Sequence, residues 1–324
     1  MKAIRTILCV GMICFLLFTP NTLIKGAQKT FVDSRFVRNT DRYQGTIFLY
    51  HIVRHRPYSG SLTQWLNARA AEYEKKHKGT YLEIEGLDES GFYERLEGGR
   101  KADAYSFFSG SVYRDLLKPL SDLGFPLRNG IFQTDRCVPY CYTGYAKLIK
   151  KPDSCGEKRY FASDVLSALY GDGGETVAEE EKADVLYADL RKAGDLIRYK
   201  EGFSIAALDP LDSFTDAVCW LGIERDTDER KAQVILDFFS YLLEPDAQQT
   251  LNALGLLSVR ADVKNTAPES ALKKVFSCYE TVQTVDPFLW NLQYDALSED
   301  AALAAEGDKE AKSRFLKRLR ECCR

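Results

Sequence analysis

Residues 45–110 read GTIFLYHIVRHRPYSGSLTQWLNARAAEYEKKHKGTYLEIEGLDESGFYERLEGGRKADAYSFFSG, and this stretch decides the fold class. Gly45 to Val53 is a β-branched and aromatic run of strand length, followed by a loop that carries Pro57 and Gly60. Ser61 has the chemistry of an N-cap. Leu62, Trp65, Leu66 and Tyr73 then recur at helical spacing, Lys75, Lys76, His77 and Lys78 suit the carboxyl end of the helix dipole, and Gly79 is the stop. Thr80 to Ile84 reads as a second strand, Phe92 to Leu96 as a short helix and Ala102 to Phe108 as a third strand. Strands alternating with helices imply right-handed crossovers, hence a parallel sheet with helices on its faces.

Upstream of this block, Lys2 and Arg5 precede an apolar run from Ile7 to Phe18 that Thr19, Pro20 and Asn21 end. That is the pattern of an export signal over residues 1–26, with Ile24 and Gly26 at the positions before cleavage. The expected location is extracellular or in the cell envelope, with the leader either cleaved or retained as an anchor. Losing Lys2, Arg5 and Lys25 would take the formal charge from −3 to −6. Residues 27–44 are polar and read as a tether.

Downstream, Val112 to Leu123 has a helical pattern limited by Pro119, and Pro139 and Gly144 punctuate an extended segment that leads into Ala146 to Ile149. Tyr187 to Gly194 reads as a helix and Phe203 to Leu208 as a strand. Ala232 to Leu243 is an amphipathic helix ending before Pro245, Asp246 to Leu254 a second with Gly255 as its stop, and two or three more helices fit between Ala271 and Arg320.

The chain has 324 residues, 45% of them hydrophobic and 28% charged, enough for a real core and for two domains. Its 44 Lys and Arg stand against 47 Asp and Glu, so no basic excess points to nucleic acid. Three histidines occur, His51, His55 and His77, without HExxH or paired CxxC spacing, and no metal or cofactor is expected. Past the leader the cysteines are Cys137, Cys141, Cys155, Cys219, Cys278, Cys322 and Cys323, an odd number. Cys219 and Cys278 sit in apolar stretches and read as buried thiols, and Cys137 and Cys141 are a candidate disulfide pair.

The segment FFSYLLEPDAQQTLNALGLLSVRADV, Phe238 to Val263, resembles the signature of extracellular solute-binding proteins of ABC importers, family 1. Leu242-Leu243, Pro245, Ala247-Gln248, Gly255 and Val259-Arg260 occupy the motif positions, with Ser258 where proline is usual. Residues 50–79, ADAYSFFSG at 102–110 and VPYCYTGYAKLIKK at 138–151 agree with further stretches of that family in the same order. The resemblance implies a two-lobed type II periplasmic-binding fold, α/β, each lobe a mainly parallel sheet flanked by helices. One lobe would hold 45–138 plus 213–260 and the other 139–212 plus 261–324. It also implies a non-catalytic receptor, working as a monomer, that closes on a small solute and delivers it to a membrane permease. The chain departs from the family in having no small-residue pattern before Cys14 for lipid attachment, and in a short middle segment.

Ligands of such sheets sit beyond the carboxyl ends of the strands, and two facing lobes share one cleft. Tyr50, His51 and Ser59 after the first strand, Phe108 and Ser109 after the third, Tyr140 and Tyr142 in the crossover, Asp216 on the returning chain and Trp290 near the C-terminal helices are therefore the candidate ligand-binding residues. Aromatic platforms with a carboxylate and hydroxyls suit a carbohydrate. Arg54, His55 and Arg56 before a helix N-terminus keep an anionic ligand open, although the simpler reading is a solvated cluster. Trp65 and Trp220 read as core. Two further alternatives are service to a membrane sensor and a secreted hydrolase; for the latter there is no GxSxG and no carboxylate pair that spacing singles out.

Overall fold

The first strand, β1 (Gly45–Ile52), has Ile47, Leu49 and Ile52 buried, and pairs in parallel with both β2 (Thr80–Leu87) and β3 (Ala104–Phe108). Between them run α1 (Leu62–Lys76) and α2 (Glu89–Glu97), capped by Ser61 and Asp88, whose side chains accept from the amides of Gln64 and Gly91. The computed structural model describes residues 43–150, 159–162, 175–176, 183–199, 202–206, 214–305 and 307–323. The expected signal segment, the tether up to residue 42 and Cys155 lie outside them. From Gln44 onward the chain forms one compact unit, and no helix among the described residues is long and apolar enough to cross a membrane.

After β3 the expected helix over 112–123 is absent apart from one 3-10 turn, Arg114–Leu116. Tertiary pairing overrides the local pattern there: Leu117 bridges to Glu224, and the amide of Lys118 donates to the Ile223 carbonyl at 2.9 Å. The next strand, β4 (Cys137–Tyr142), stays in the first sheet, so the chain passes to the second sheet at Thr143-Gly144.

The second sheet holds β5 (Tyr145–Lys150), β6 (Arg159–Ala162), β7 (Glu175–Thr176), β8 (Val185–Asp189) and β9 (Phe203–Ala206), in the order β7-β6-β8-β5-β9. Val185 to Ala188 are fully buried between β6 and β5, and α3 (Leu190–Tyr199) follows them. This corrects the helix expected over 187–194, because a continuous apolar run between two neighbouring strands is buried on both faces and fits a central strand. Of the strand expected over 203–208, residues 207 and 208 fall outside the description.

The chain returns through β10 (Phe214–Thr215) into β11 (Val218–Ile223), which lies antiparallel between β3 and β4. The helices α4 (Glu229–Leu242) and α5 (Pro245–Thr250) follow, with a 3-10 turn to Gly255 at φ +77 and then β12 (Leu257–Ser258). The first sheet is thus ordered β12-β4-β11-β3-β1-β2, a parallel block joined by the antiparallel strands that arrive from outside it. Three helices close the chain, α6 (Lys273–Cys278), α7 (Pro287–Ala305) and α8 (Lys309–Cys322), with β13 (Gln283–Thr284) pairing β10 between them. Trp290, Leu297, Phe315 and Leu319 of α7 and α8 pack on Tyr145 and Phe214.

Pro139 in the middle of β4 lacks the amide that a central strand needs, and the ladder answers with a bulge. Cys219 pairs with Cys141, but the next residue, Trp220, pairs with Pro139, leaving Tyr140 as the extra residue. The bulge therefore turns Tyr140 toward Cys219, and its hydroxyl lies 3.2 Å from the Cys219 sulfur.

Candidate functional site

The loop after β1 carries Arg54 and His55 inward, which corrects their reading as a solvated cluster. The His55 ring meets Phe108 edge-on at 5.0 Å and faces Tyr145 of the second sheet at 6.5 Å. Arg54 Nη1 donates to the Ser109 carbonyl at 3.0 Å, and its guanidinium lies over the Tyr294 ring at 5.6 Å. Gly110, at φ +87, allows this approach: a Cβ there would stand 3.1 Å from Arg54 Nη1 and 3.2 Å from Trp290 Cδ1. Across from it, Tyr145 donates to Asp216 Oδ1 at 2.6 Å. Burial raises the pKa of the Asp216 carboxyl, opposed by the Arg54 charge and the Tyr145 hydroxyl. Glu89, 3.9 Å from Arg54, is a second counter-charge.

Of the expected residues, Phe108, Ser109, Asp216 and Trp290 come together here, all of them buried. The indole N–H of Trp290 is buried without a hydrogen-bond partner. A buried donor left in that state is costly unless an acceptor reaches it. Beside it, a cleft of about 310 Å3 lies between Val112 to Asp115 and the first turns of α7, lined among others by Tyr113, Phe288 and Leu289.

The other candidates lie elsewhere. Tyr50 packs on the far face against Tyr105, with the Arg95 guanidinium over its ring. His51 is inside the sheet, Nδ1 2.9 Å from the Ser106 hydroxyl, and burial holds its imidazole at about 4. Ser59 is tied to the Ala253 and Leu254 carbonyls. Tyr140, expected as a platform, is stacked on Trp65 in the core, its hydroxyl 2.9 Å from that of Ser106. Tyr142, the other expected platform, donates to the Tyr279 carbonyl at the crossing. Both phenols are satisfied by protein groups and neither ring has a free face, because β4 remains inside the first sheet instead of running along the cleft. Trp65 and Trp220 are core as expected, their indoles donating to Thr250 and Ser109.

A second contact ties the two halves. The Tyr58 ring fits against Gly194 of α3, where an added Cβ would stand 2.2 Å from it, and the Tyr58 Cβ fits against Gly255, where an added Cβ would stand 2.4 Å away. Arg198 of α3 lies over the same ring at 4.4 Å and bonds Glu269 at 2.7 Å. Outside the candidate set were Tyr58 and Tyr145, which the loop after the first strand and the crossover had offered as plausible contacts, and Arg54 and His55, kept only for an anionic ligand. Their place at the carboxyl end of β1 and the start of β5 was the available signal.

The two sheets, the crossings of the chain between them and the facing loops decide the architecture. The fold is that of a two-lobed solute-binding protein. The chain is similar to the cyclic α-maltosyl-1,6-maltose binding protein of Arthrobacter globiformis, at 13% identity over 86% of this chain and 98% of that one, with a TM-score of 0.62. It is similar to a maltodextrin binding protein of L. casei BL23, 12% identical over 86% and 98% of the two chains, TM-score 0.58. It is also similar to the iron-bound HitA of Pseudomonas aeruginosa, 11% identical over 79% and 99%, TM-score 0.51. At these identities the likeness is one of fold. No family model and no curated protein matches the chain.

Proposed function

We propose that the chain is an exported, non-catalytic solute receptor of family 1 that serves an ABC importer and closes two lobes on a small carbohydrate. The lobes are those implied by the resemblance, with the crossing moved to Thr143-Gly144. The observation that carries the reading is the meeting of Arg54, His55, Ser109 and Asp216 from one lobe with Tyr145 and Trp290 from the other. A ligand bridging both sets would favour the closed state by its differential affinity. Two similar structures are named for maltodextrin and a cyclic maltosyl-maltose. Arg54 already has Glu89 and Asp216 as counter-charges, so a neutral ligand rich in hydroxyls fits the charge balance. Arg54 and His55 together favour one second reading, an anionic solute.

The test is a thermal-shift and calorimetric screen of neutral sugars, acidic sugars, carboxylates and phosphates. Ligand at about 100 times its dissociation constant raises the midpoint by about 5–10 °C. Hits among neutral sugars, weakened by Asp216→Asn and Trp290→Phe, support the carbohydrate reading. Hits confined to anions move it to the second. Product released from labelled glycans would overturn the receptor reading in favour of a hydrolase.

A further inference from the structure

The two strands that run to the lobe crossing carry cysteines that face each other. Cys141 on β4 and Cys219 on β11 are direct partners in the antiparallel ladder. Directly opposed residues of such a ladder have Cα atoms about 4.5–5.5 Å apart, within the range a disulfide spans. Both side chains are fully buried, and both thiols are free. The bulge at Tyr140 loosens the ladder beside them and bends β4, which gives the local backbone freedom that a cross-strand bond needs. Cys137 and Cys141, the candidate pair of the sequence analysis, are four positions apart on one extended strand. At about 3.3 Å per residue they stand roughly 13 Å apart and cannot bond.

We infer that Cys141 and Cys219 are a disulfide-forming pair that staples β4 to β11 at the base of the lobe crossing. Next to them, the Thr143 amide donates to the Ala217 carbonyl at 2.9 Å and the Thr215 hydroxyl donates to the Thr143 carbonyl at 2.7 Å. The bond would hold these two crossing strands in register while the lobes move. The oxidant is a small-molecule disulfide such as oxidised glutathione. One cysteine thiolate attacks it, forming a mixed disulfide and releasing one glutathione thiolate; the second cysteine thiolate then displaces the other glutathione. Two cysteine thiols lose two protons and two electrons, and one glutathione disulfide becomes two thiols. Burial, and then the adjacent Cys219, hold the Cys141 thiol well above its ordinary pKa, so the exchange belongs to folding, before the strands close over the pair.

The experiment refolds the full chain in a glutathione redox buffer, blocks remaining thiols with iodoacetamide under denaturing conditions, and maps the peptides without reduction. The expected result is a peptide linking Cys141 to Cys219, lighter by two hydrogens than its reduced halves. It should appear equally in Cys137→Ser and be lost in Cys141→Ala. The linked protein should melt about 10 °C higher than the reduced one, because the bond closes a long loop. Both cysteines alkylated after oxidative refolding, or linked to other cysteines, overturns the inference. If Cys141→Ala does not fold, the map of the unchanged chain and of Cys137→Ser decides the matter alone. No ligand enters the experiment, so its outcome is separate from that of the receptor reading.

Discussion

His51 shows what a single residue contributes here. Its ring is enclosed between Ser106 and Phe108 and is held neutral, burial lowering its pKa to about 4 from the ordinary imidazole value of 6.5. The unfolded chain binds the proton first, so this residue's share of stability is full above pH 6.5 and falls as pH drops toward 4. At pH 5 the loss is about 2 kcal/mol, read as a lower urea midpoint than at pH 7 and absent from His51→Gln. Tyr140→Phe should cost about 1–2 kcal/mol, because the Ser106 hydroxyl and the Cys219 thiol lose a partner. Ligand affinity should not change. Weakened binding at unaltered stability in that variant would return Tyr140 to the cleft.

Among the elements, α3 makes a contact with the other half that can be probed by a single methyl. Gly194 leaves room for the Tyr58 ring, and a Cβ would stand 2.2 Å from it. Gly194→Ala should stabilise α3 locally while unseating Tyr58, which biases the lobes apart; a roughly tenfold weaker ligand affinity by calorimetry is expected, with the melting midpoint of the free protein little changed. Tyr58→Ala should act in the same direction through loss of the ring beneath Arg198. Unaltered affinity in both would show that this contact takes no part in closure. The elements also show where local patterns mislead. Ser61 and Gly79 bounded α1 in the sequence because capping is local chemistry. Residues 112–123 carried helical spacing and did not form a helix, since Leu117 and Lys118 found partners at Glu224 and Ile223.

For the molecule as a whole, closure on a ligand predicts a compact scattering profile with a radius of gyration of about 19 Å for the folded body, and a larger value without ligand. No change on adding a ligand that raises the melting midpoint would separate binding from closure. The fold class, the crossovers of the first block, the core tryptophans and the buried thiols at Cys219 and Cys278 were legible in the sequence, because periodicity, caps and apolar runs act over a few residues. Half of the candidate site was legible too: the carboxyl ends of β1 and β3 are named by strand order, and Phe108 and Ser109 follow from them. Which side of the sheet Tyr50 and Tyr140 face, the burial of His55 and the inward turn of Arg54 toward Tyr145 and Tyr294, and the pairing of Cys141 with Cys219 were decided only in three dimensions. A bulge at Pro139 and a crossing at Gly144 turn side chains and join segments far apart in the chain, and such contacts arise from strand pairing between distant residues, which no local spacing encodes.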